Sequence, residues 1–379
     1  MALPALGVLA TLLHVVPVIG LAAGFVPPVL SWVVLVTAAI ALLALGLWLR
    51  GRSRALLAVV VVAALTVAAG AYVIARQVTV VENAGADVDL VDTLDVWSTP
   101  AAAPDAEETY SSFAGEPLRL GVFRPRPGAG PAPVLLFVHG GGWVAGDRNA
   151  HATDLRWFAD RGWLVVSVDY ALSSPERHLW DVVTGQIGCA MTWVADNAER
   201  FGGDPARLSL TGDSAGGNLA INAAYMASEY MPGTSTLRPS CGAEVPAVGA
   251  VSALYPAVDP AGVFANDDVA LGGTAKGFAT AYLGGSPVDV PDRYAAVASA
   301  THVTPAAPPT LLLLGGTDHL VPTRGAEEFA DRAAAAGVDV KLVSVPYADH
   351  VFDAREGSIG QQAYRQLTEA WLREHGQGP

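Results

Sequence analysis

Acidic residues are absent from the first 76 positions of the chain, and the only charges there are four arginines, three of them within residues 50–54. All 36 acidic residues therefore lie in residues 77–379, beside 18 of the 22 lysines and arginines, which gives that part a formal charge of −18. Binding to nucleic acid requires a basic surface. The acidic composition of residues 77–379 excludes nucleic acid as a partner.

The uncharged part is long enough to cross a lipid bilayer three times. A membrane-spanning helix needs about 20 apolar residues, and three runs meet this requirement: residues 5–25, 29–49 and 55–75. Pro27-Pro28 separates the first run from the second, and the arginine cluster separates the second from the third. A secretory signal peptide fits poorly, because it has one short apolar run preceded by positive charge. Residues 1–76 are therefore predicted to be a membrane anchor with three transmembrane helices.

The arginine cluster predicts how this anchor is oriented. Short loops rich in arginine stay on the cytoplasmic side, so Arg50, Arg52 and Arg54 should face the cytoplasm and the third helix should run outward. The predicted location is therefore the cell membrane, multi-pass, with the remainder of the chain on the extracytoplasmic side. Residues 77–109, polar and rich in alanine and proline near their end, are interpreted as a linker. Residues 110–379 are interpreted as one large domain.

Cysteine is scarce, with only Cys189 and Cys241 in the chain. In an oxidising compartment two cysteines can form a disulfide. The alternative is two buried, reduced thiols. The sequence does not give the distance between them, so both alternatives stay open.

The large domain contains no tandem repeat and no heptad pattern, and short apolar runs alternate instead with amphipathic segments. The predicted strands are residues 118–123, 134–138, 163–168, 208–211, 248–255, 310–314 and 341–345. The predicted helices are residues 155–161, 182–200, 218–229, 327–336 and 361–373. Strands that alternate with helices predict an α/β fold with a doubly wound, mostly parallel sheet.

One strand-to-helix junction contains the pattern Gly-x-Ser-x-Gly, formed by Gly212, Ser214 and Gly216. Glycines on both sides of the serine permit a sharp turn, which presents the Ser214 hydroxyl at the carboxyl end of the sheet. The helix that follows offers free N–H groups and its positive end to a developing oxyanion. The match alone is weak in a chain with 40 glycines, but its place between strand and helix favours a nucleophilic serine.

A serine nucleophile needs a base, and two strand ends supply a base and its orienting acid. His350 follows the last predicted strand, and Asp318 follows the strand before it. The order Ser, Asp, His is typical of this fold, and the carboxylate would orient the imidazole and stabilise its cation. Ser214, His350 and Asp318 are the predicted catalytic residues. Asp349 and His319 are the alternatives, although Asp349 is too close in sequence to reach round the ring of His350.

A second glycine cluster, His139-Gly-Gly-Gly-Trp143, follows the predicted strand that should lie beside the serine. Three glycines allow the backbone to turn its N–H groups inward. Gly141, Gly142 and Ala215 are therefore the predicted oxyanion hole, whose donors stabilise a tetrahedral intermediate. A phosphate-binding loop is the rival interpretation, and it fails because no Lys-Ser/Thr pair follows the glycines.

With these motifs the chain resembles the hormone-sensitive-lipase-like esterases, also called the HGGG carboxylesterases. The resemblance covers about residues 110–375 and rests on His139-Gly-Gly-Gly-Trp143, Val166-Ser-Val-Asp-Tyr170, Ser174-Pro-Glu176, Phe201-Gly-Gly-Asp-Pro205, Gly212-Asp-Ser-Ala-Gly-Gly217, Asp318-His-Leu-Val-Pro322 and Asp349-His350. It implies an α/β-hydrolase that cleaves short- to medium-chain acyl esters without a metal or cofactor. Two features depart from the family: Ala171 stands where an arginine usually follows the tyrosine, and membrane helices replace the usual N-terminal cap segment.

The sequence thus predicts a membrane-anchored, extracytoplasmic serine carboxylesterase acting on a small-molecule or envelope-linked ester, acetyl esters among them. Its helices would contact the lipid bilayer, and residues 254–282 with 231–241 would form a small cap. An acyltransferase or a peptidase would share the same acyl-enzyme chemistry and stays an alternative. A non-catalytic adhesion domain is disfavoured, because such proteins usually lose the nucleophile or the oxyanion glycines. The oligomeric state is left open.

Overall fold

The structure is a computed structural model that describes residues 2–12, 26–95, 102–126, 128, 130–228, 235–242 and 244–379. Its centre is an eight-stranded sheet with the strand order β1-β2-β4-β3-β5-β6-β7-β8. The contacts β1–β2 and β2–β4 are antiparallel, and the other neighbours are parallel. The strands are β1 Ala106–Phe113, β2 Glu116–Phe123, β3 Ala132–Val138, β4 Leu164–Val168, β5 Gly203–Asp213, β6 Ala250–Leu254, β7 Thr310–Gly315 and β8 Val340–Val345.

Helices cover both faces of this sheet. The described helices are α1 Ala2–Leu12, α2 Leu30–Gly51, α3 Arg54–Asn83, α4 Ala152–Ala159, α5 Val183–Asn197, α6 Ser214–Ala227, α7 Pro260–Phe264, α8 Gly272–Leu283, α9 Pro291–Val297, α10 Thr323–Ala335 and α11 Ile359–Glu374. Side chains of α5, α6 and α10 belong to one buried apolar cluster, and those of α4 and α11 belong to another. The predicted doubly wound, mostly parallel α/β sheet is confirmed.

The central strands form because their residues are mostly apolar and without charge. Every residue of β3, β4, β6 and β7 is buried, as expected for parallel strands that are covered on both faces. Their carboxyl ends meet at one edge of the sheet, where ligands and active sites are usually found in this class of fold. This edge carries the residues described below.

The structure corrects the predicted linker, residues 77–109. Helix α3 continues to Asn83, and β1 begins at Ala106 and pairs with β2. Strand β1 is polar because it lies at the edge of the sheet, where half-buried and exposed positions largely alternate and only one face needs apolar side chains. A composition typical of a linker therefore concealed the first half of an edge strand, residues 106–109.

Two described helical segments are long and apolar enough to cross a membrane by length and composition, Pro27–Gly51 and Arg54–Asn83. They coincide with the second and third predicted spans, and α3 is longer than the predicted 55–75. The first predicted span, residues 5–25, is described only as far as residue 12, in α1, and its remainder lies outside the described residues.

Cys189 and Cys241 form a disulfide, with their Cα atoms 5.8 Å apart. The bond ties α5 to residues 235–242. Within the same contact, Ser240 N donates to Gly185 O at 3.1 Å. The sequence left the pairing open because the two cysteines are 52 residues apart in the chain. Only the fold determines how far apart they lie in space.

Candidate active site

A sharp turn between β5 and α6 presents Ser214, whose φ of 51° is in the left-handed region. The turn lies against the end of β3. A side chain at Gly216 would collide with the backbone oxygens of Val138 and His139, and a Cβ at Gly212 would lie 2.6 Å from Val138 O. The glycines of the motif are therefore required by close backbone contact as well as by the turn. Ser214 is left 8% exposed.

The structure brings the three predicted catalytic residues together in one chain of contacts. His350 Nε2 lies 3.0 Å from Ser214 Oγ, and His350 Nδ1 lies 2.6 Å from Asp318 Oδ2. An ionised carboxylate can only accept, so Nδ1 carries the proton and Nε2 accepts from the serine hydroxyl. The remaining oxygen of Asp318 accepts from the N–H groups of Leu320 and Val321 at 2.9 and 2.8 Å.

The surroundings of His350 raise the pKa of its imidazole above the ordinary value. Burial alone would lower this pKa, because it disfavours the charged ring. The charge and hydrogen bond of Asp318 outweigh burial, with smaller contributions from the charges of Asp213 and Asp349. The base is therefore strong, and the cation that it forms on taking a proton is stabilised.

The two neighbouring residues that the sequence offered as alternatives form a separate pair. Asp349 Oδ2 lies 2.6 Å from His319 Nδ1, and Asp349 Oδ1 accepts from the backbone N–H groups of His319 and His350 at 2.9 and 2.7 Å. The Asp349 carboxylate thus contacts the backbone of His350 and not its ring. The geometry favours Asp318 as the partner of the imidazole.

The glycine loop after β3 has the conformation that its sequence predicts. Gly141 and Gly142 have φ of 102° and 61°, and a Cβ at Gly142 would lie 2.5 Å from the ring of Phe278. The N–H groups of Gly141 and Gly142 donate no hydrogen bond to any residue that the structure describes. Ala215 lies in the first turn of α6, where N–H groups have no partner within the helix. These donors remain available to an anionic oxygen.

Asp213 and Tyr170 hold this loop, and neither was predicted to do so. Asp213 Oδ1 accepts from the N–H of Gly140 at 2.8 Å. The Tyr170 hydroxyl donates to His139 O at 2.9 Å, and the two rings stack with centroids 4.2 Å apart. Both residues lie in motifs that the sequence singled out, which is the only signal that could have identified them.

Behind the site lies a buried group of charged residues centred on His151. Its Nδ1 lies 3.3 Å from Asp154 Oδ2 and 3.4 Å from Asp353 Oδ2, and its Nε2 lies 3.8 Å from Asp213 Oδ1. Burial would lower the pKa of His151, but Asp213, Asp154 and Asp353 together raise it well above the ordinary value. Asp353 also accepts from the Tyr255 hydroxyl at 2.7 Å.

This group connects to both sides of the site. Asp213 holds the glycine loop, and the Tyr255 ring lies 4.5 Å from the ring of His350. One oxygen or nitrogen each of His151, Asp154 and Asp353 lies within 4.8 Å of the others, close enough to share a cation. A protonated His151 supplies that positive charge from the protein itself.

The insertion between β6 and β7 covers the glycine loop. Phe278 of α8 lies against Gly142, and Tyr282 of the same helix stacks on Trp143 with centroids 4.5 Å apart. Of the predicted cap segment 254–282, helix α8 thus lies against the glycine loop. Of the second predicted cap segment, residues 231–234 lie outside the described part, and residues 235–241 pack against α5.

Comparison with known proteins agrees with the fold and the motifs. The sequence profile of the BD-FAE family matches residues 120–332. The chain belongs to the BD-FAE family. It is a family of hormone-sensitive-lipase-like esterases, so the resemblance seen in the sequence is confirmed. The matched range contains Ser214 and Asp318 but ends before His350, whose assignment depends on the geometry above.

Among curated relatives, the chain is 28% identical over 286 residues to the probable carboxylic ester hydrolase LipM of Mycobacterium tuberculosis, covering 72% of this BD-FAE member and 63% of LipM. It is 31% identical over 241 residues to the esterase LipC of the same organism, covering 60% of this chain and 55% of LipC. The chain therefore spans less than two thirds of the length of these relatives.

Solved structures show the same fold. Thermogutta terrifontis esterase 2, phosphonylated by sarin, superposes with a TM-score of 0.59 at 21% identity, over 74% of this chain and 99% of the esterase. The butyrate-bound form of that esterase gives a TM-score of 0.56 at 23% identity, over 72% and 95%. The α/β-hydrolase fold is thus shown for this member of the BD-FAE family.

Proposed function

We propose that this protein is a membrane-anchored serine carboxylesterase. The observation that supports the proposal most strongly is the chain of contacts from Ser214 Oγ through His350 to Asp318, at 3.0 and 2.6 Å. It lies at the carboxyl edge of the sheet, beside the N–H groups of Gly141 and Gly142, which donate to no described residue. This combination fits acyl transfer through a covalent serine intermediate.

In the first half-reaction, His350 Nε2 removes the proton of Ser214 as Oγ attacks the ester carbonyl carbon. The N–H groups of Gly141, Gly142 and Ala215 stabilise the resulting oxyanion. The protonated His350 then gives its proton to the departing alcohol, and the acyl group stays on Ser214. In the second half-reaction, a water molecule takes the place of the alcohol. His350 deprotonates this water, and the carboxylic acid leaves as Ser214 regains its proton.

Short- to medium-chain acyl groups, acetyl among them, are the proposed acyl donors. Phe278, Trp143 and Tyr282 crowd the glycine loop with aromatic rings, which restricts space beside the oxyanion donors. The related Thermogutta terrifontis esterase 2 has been solved with butyrate and with propionate bound. No metal or cofactor takes part in the proposed mechanism.

The anchor and its orientation are further parts of the proposal. Pro27–Gly51 and Arg54–Asn83 have the length and composition of membrane-spanning helices, and residues 5–25 would add a third. The Arg50–Arg54 loop would face the cytoplasm, and the hydrolase domain would face the extracytoplasmic side. The disulfide between Cys189 and Cys241 supports this orientation, because disulfides persist in oxidising compartments.

The test is hydrolysis of p-nitrophenyl acetate, butyrate and octanoate by the full chain in phospholipid nanodiscs, beside the Ser214→Ala variant. We expect turnover that falls by at least about 10³-fold in the variant, and the dependence on chain length gives the size of the acyl pocket. Folded protein without turnover that depends on Ser214 would contradict the esterase function. Transfer of the acyl group to an added sugar would then indicate an acyltransferase.

A further inference from the structure

The outer part of α3 runs along β8, and its direction shows which edge of the sheet lies nearest the apolar helices. Gln77 Nε2 donates to Pro346 O at 3.0 Å, just beyond the carboxyl end of β8. Two helical turns later, Ala84 O accepts from Lys341 Nζ at 2.7 Å, near the amino end of the strand. Beyond its apolar part, α3 therefore runs from the carboxyl end of β8 toward the amino end of β8. The edge that carries Ser214 is the edge nearest the apolar helices.

The outer end of α2 leads to the same edge. Arg355, five residues after His350, donates to Pro28 O and to Thr93 O, each at 3.0 Å. Thr93 Oγ1 in turn lies 2.7 Å from Ser31 Oγ in the first turn of α2. Both apolar helices therefore end beside the segment that contains His350.

Helix length gives the level of this segment relative to a bilayer. Helix α3 has 30 residues and is about 45 Å long at 1.5 Å per residue, whereas a hydrocarbon core about 30 Å thick takes about 20 residues. Counted from Arg54, the core ends near residue 74. Tyr347 packs against the ring of Tyr72, with centroids 6.4 Å apart, and against the apolar cluster that contains Val73. His350 is only three residues further along the chain.

Exposed apolar side chains occur near this level. Outside the apolar helices, the exposed large apolar residues of the described part are Leu90, Val91, Val269, Val288 and Val351. Val351, 49% exposed, is adjacent to His350, and Val91, 74% exposed, lies just before the contact between Thr93 and α2. Two others of the five, Val269 and Val288, lie in the insertion that follows the carboxyl end of β6. Apolar groups at the headgroup level are stabilised by entering the acyl boundary.

We propose that the enzyme takes its substrate from the bilayer: an amphiphilic ester in the leaflet on the side of the hydrolase domain, whose ester group reaches Ser214 from the membrane. This inference rests on the proposed esterase function and names its substrate class. Hydrolysis breaks the bond between the acyl carbon and the alcohol oxygen, and water supplies the oxygen of the released acid and the proton of the alcohol. The more apolar product stays in the bilayer.

The placement is tested with nitroxide labels on the full chain in phosphatidylcholine nanodiscs. Because the two native cysteines form a disulfide, a label attaches only to an introduced thiol. Val351→Cys is compared with Glu199→Cys, an exposed position just before β5 and so at the opposite edge of the sheet. We expect collisions with oxygen, which concentrates in the bilayer, to dominate at 351, and collisions with a water-soluble nickel chelate to dominate at 199. Equal exposure to water at both positions would overturn the placement.

The substrate class is tested by surface dilution with the unmodified chain. Hexadecyl butyrate, a bilayer ester with a short acyl group, is held at constant total concentration while phosphatidylcholine is added, and p-nitrophenyl butyrate in the aqueous phase serves as the control. We expect a fivefold lower mole fraction to reduce hydrolysis of hexadecyl butyrate about fivefold and to leave hydrolysis of p-nitrophenyl butyrate unchanged. Hydrolysis of p-nitrophenyl butyrate without hydrolysis of hexadecyl butyrate, or a rate for hexadecyl butyrate that is independent of mole fraction, would overturn this inference alone. Loss of both activities would contradict the esterase function instead.

Discussion

Replacing Asp318 by asparagine tests the assignment of the orienting acid and should reduce kcat strongly. The side chain is 1% exposed, so no water replaces the lost charge. An asparagine keeps one oxygen to accept from Leu320 and Val321, but it turns an N–H donor toward His350 Nδ1. The ring then carries its proton on Nε2, facing Ser214, and cannot accept the serine proton.

The expected loss in kcat is about 10⁴-fold, the size seen when a triad carboxylate becomes an amide, or about 5.5 kcal/mol in transition-state free energy. The pH profile should change as well. Asp318 raises the pKa of His350, and the neutral ring is the active form, so wild-type activity falls as pH drops through that raised pKa. In Asp318→Asn, the carboxylate no longer offsets the effect of burial, which lowers the pKa of His350. The acidic limb of the pH profile should therefore move to lower pH.

Asp349→Asn is the matched control, because the two carboxylates are neighbours with the same chemistry. Its oxygen can still accept from the N–H groups of His319 and His350, and its loss leaves the contact between Asp318 and His350 intact. We expect kcat within about tenfold of wild type for p-nitrophenyl butyrate. If Asp318→Asn stays within tenfold and Asp349→Asn loses activity, the assignment of the acid is wrong.

Three further changes test the surroundings of the site. His151→Gln leaves buried carboxylates without their cation and should reduce the free energy of unfolding by about 3 kcal/mol in urea denaturation. In wild type, the stabilisation that protonated His151 provides is present at low pH and should be lost as pH rises through the raised pKa of His151. Exchanging both Cys189 and Cys241 for serine opens a loop of 52 residues and should cost about 4 kcal/mol, measured as a lower Tm that no longer responds to reductant. Arg355→Ala removes the hydrogen bonds to Pro28 and Thr93 and should lower the free energy of unfolding by about 2 kcal/mol, measured by thermal denaturation. An unchanged Tm would contradict these contacts.

The sequence predicted the fold well where local pattern and burial agree. Strands β3, β4, β6 and β7 are mostly apolar because both faces are covered, and all four were placed within two residues of their ends. Helix α6 was predicted from residue 218, four residues late, because Gly216 and Gly217 disfavour helix. Close packing against β3 and Pro256 demands these glycines despite their low propensity.

Edge strands and contacts between distant parts of the chain could not be predicted from the sequence. The first four residues of β1 were interpreted as linker because the segment is largely polar, and pairing with β2 is what makes it a strand. The triad was predicted because each member lies at a strand end in a recognisable motif. Asp213, His151 and Tyr255 support the site through contacts between distant parts of the chain, which no local pattern indicates.

Active-site labelling tests the central claim most directly. The full chain in nanodiscs is treated with a fluorophosphonate, which reacts with serine nucleophiles that a neighbouring base activates, and the modified peptide is identified by mass spectrometry. The account predicts one adduct per chain, on Ser214, with parallel loss of p-nitrophenyl butyrate hydrolysis and no adduct in Ser214→Ala or His350→Ala. An adduct on another residue, or full esterase activity after Ser214 is modified, would contradict it.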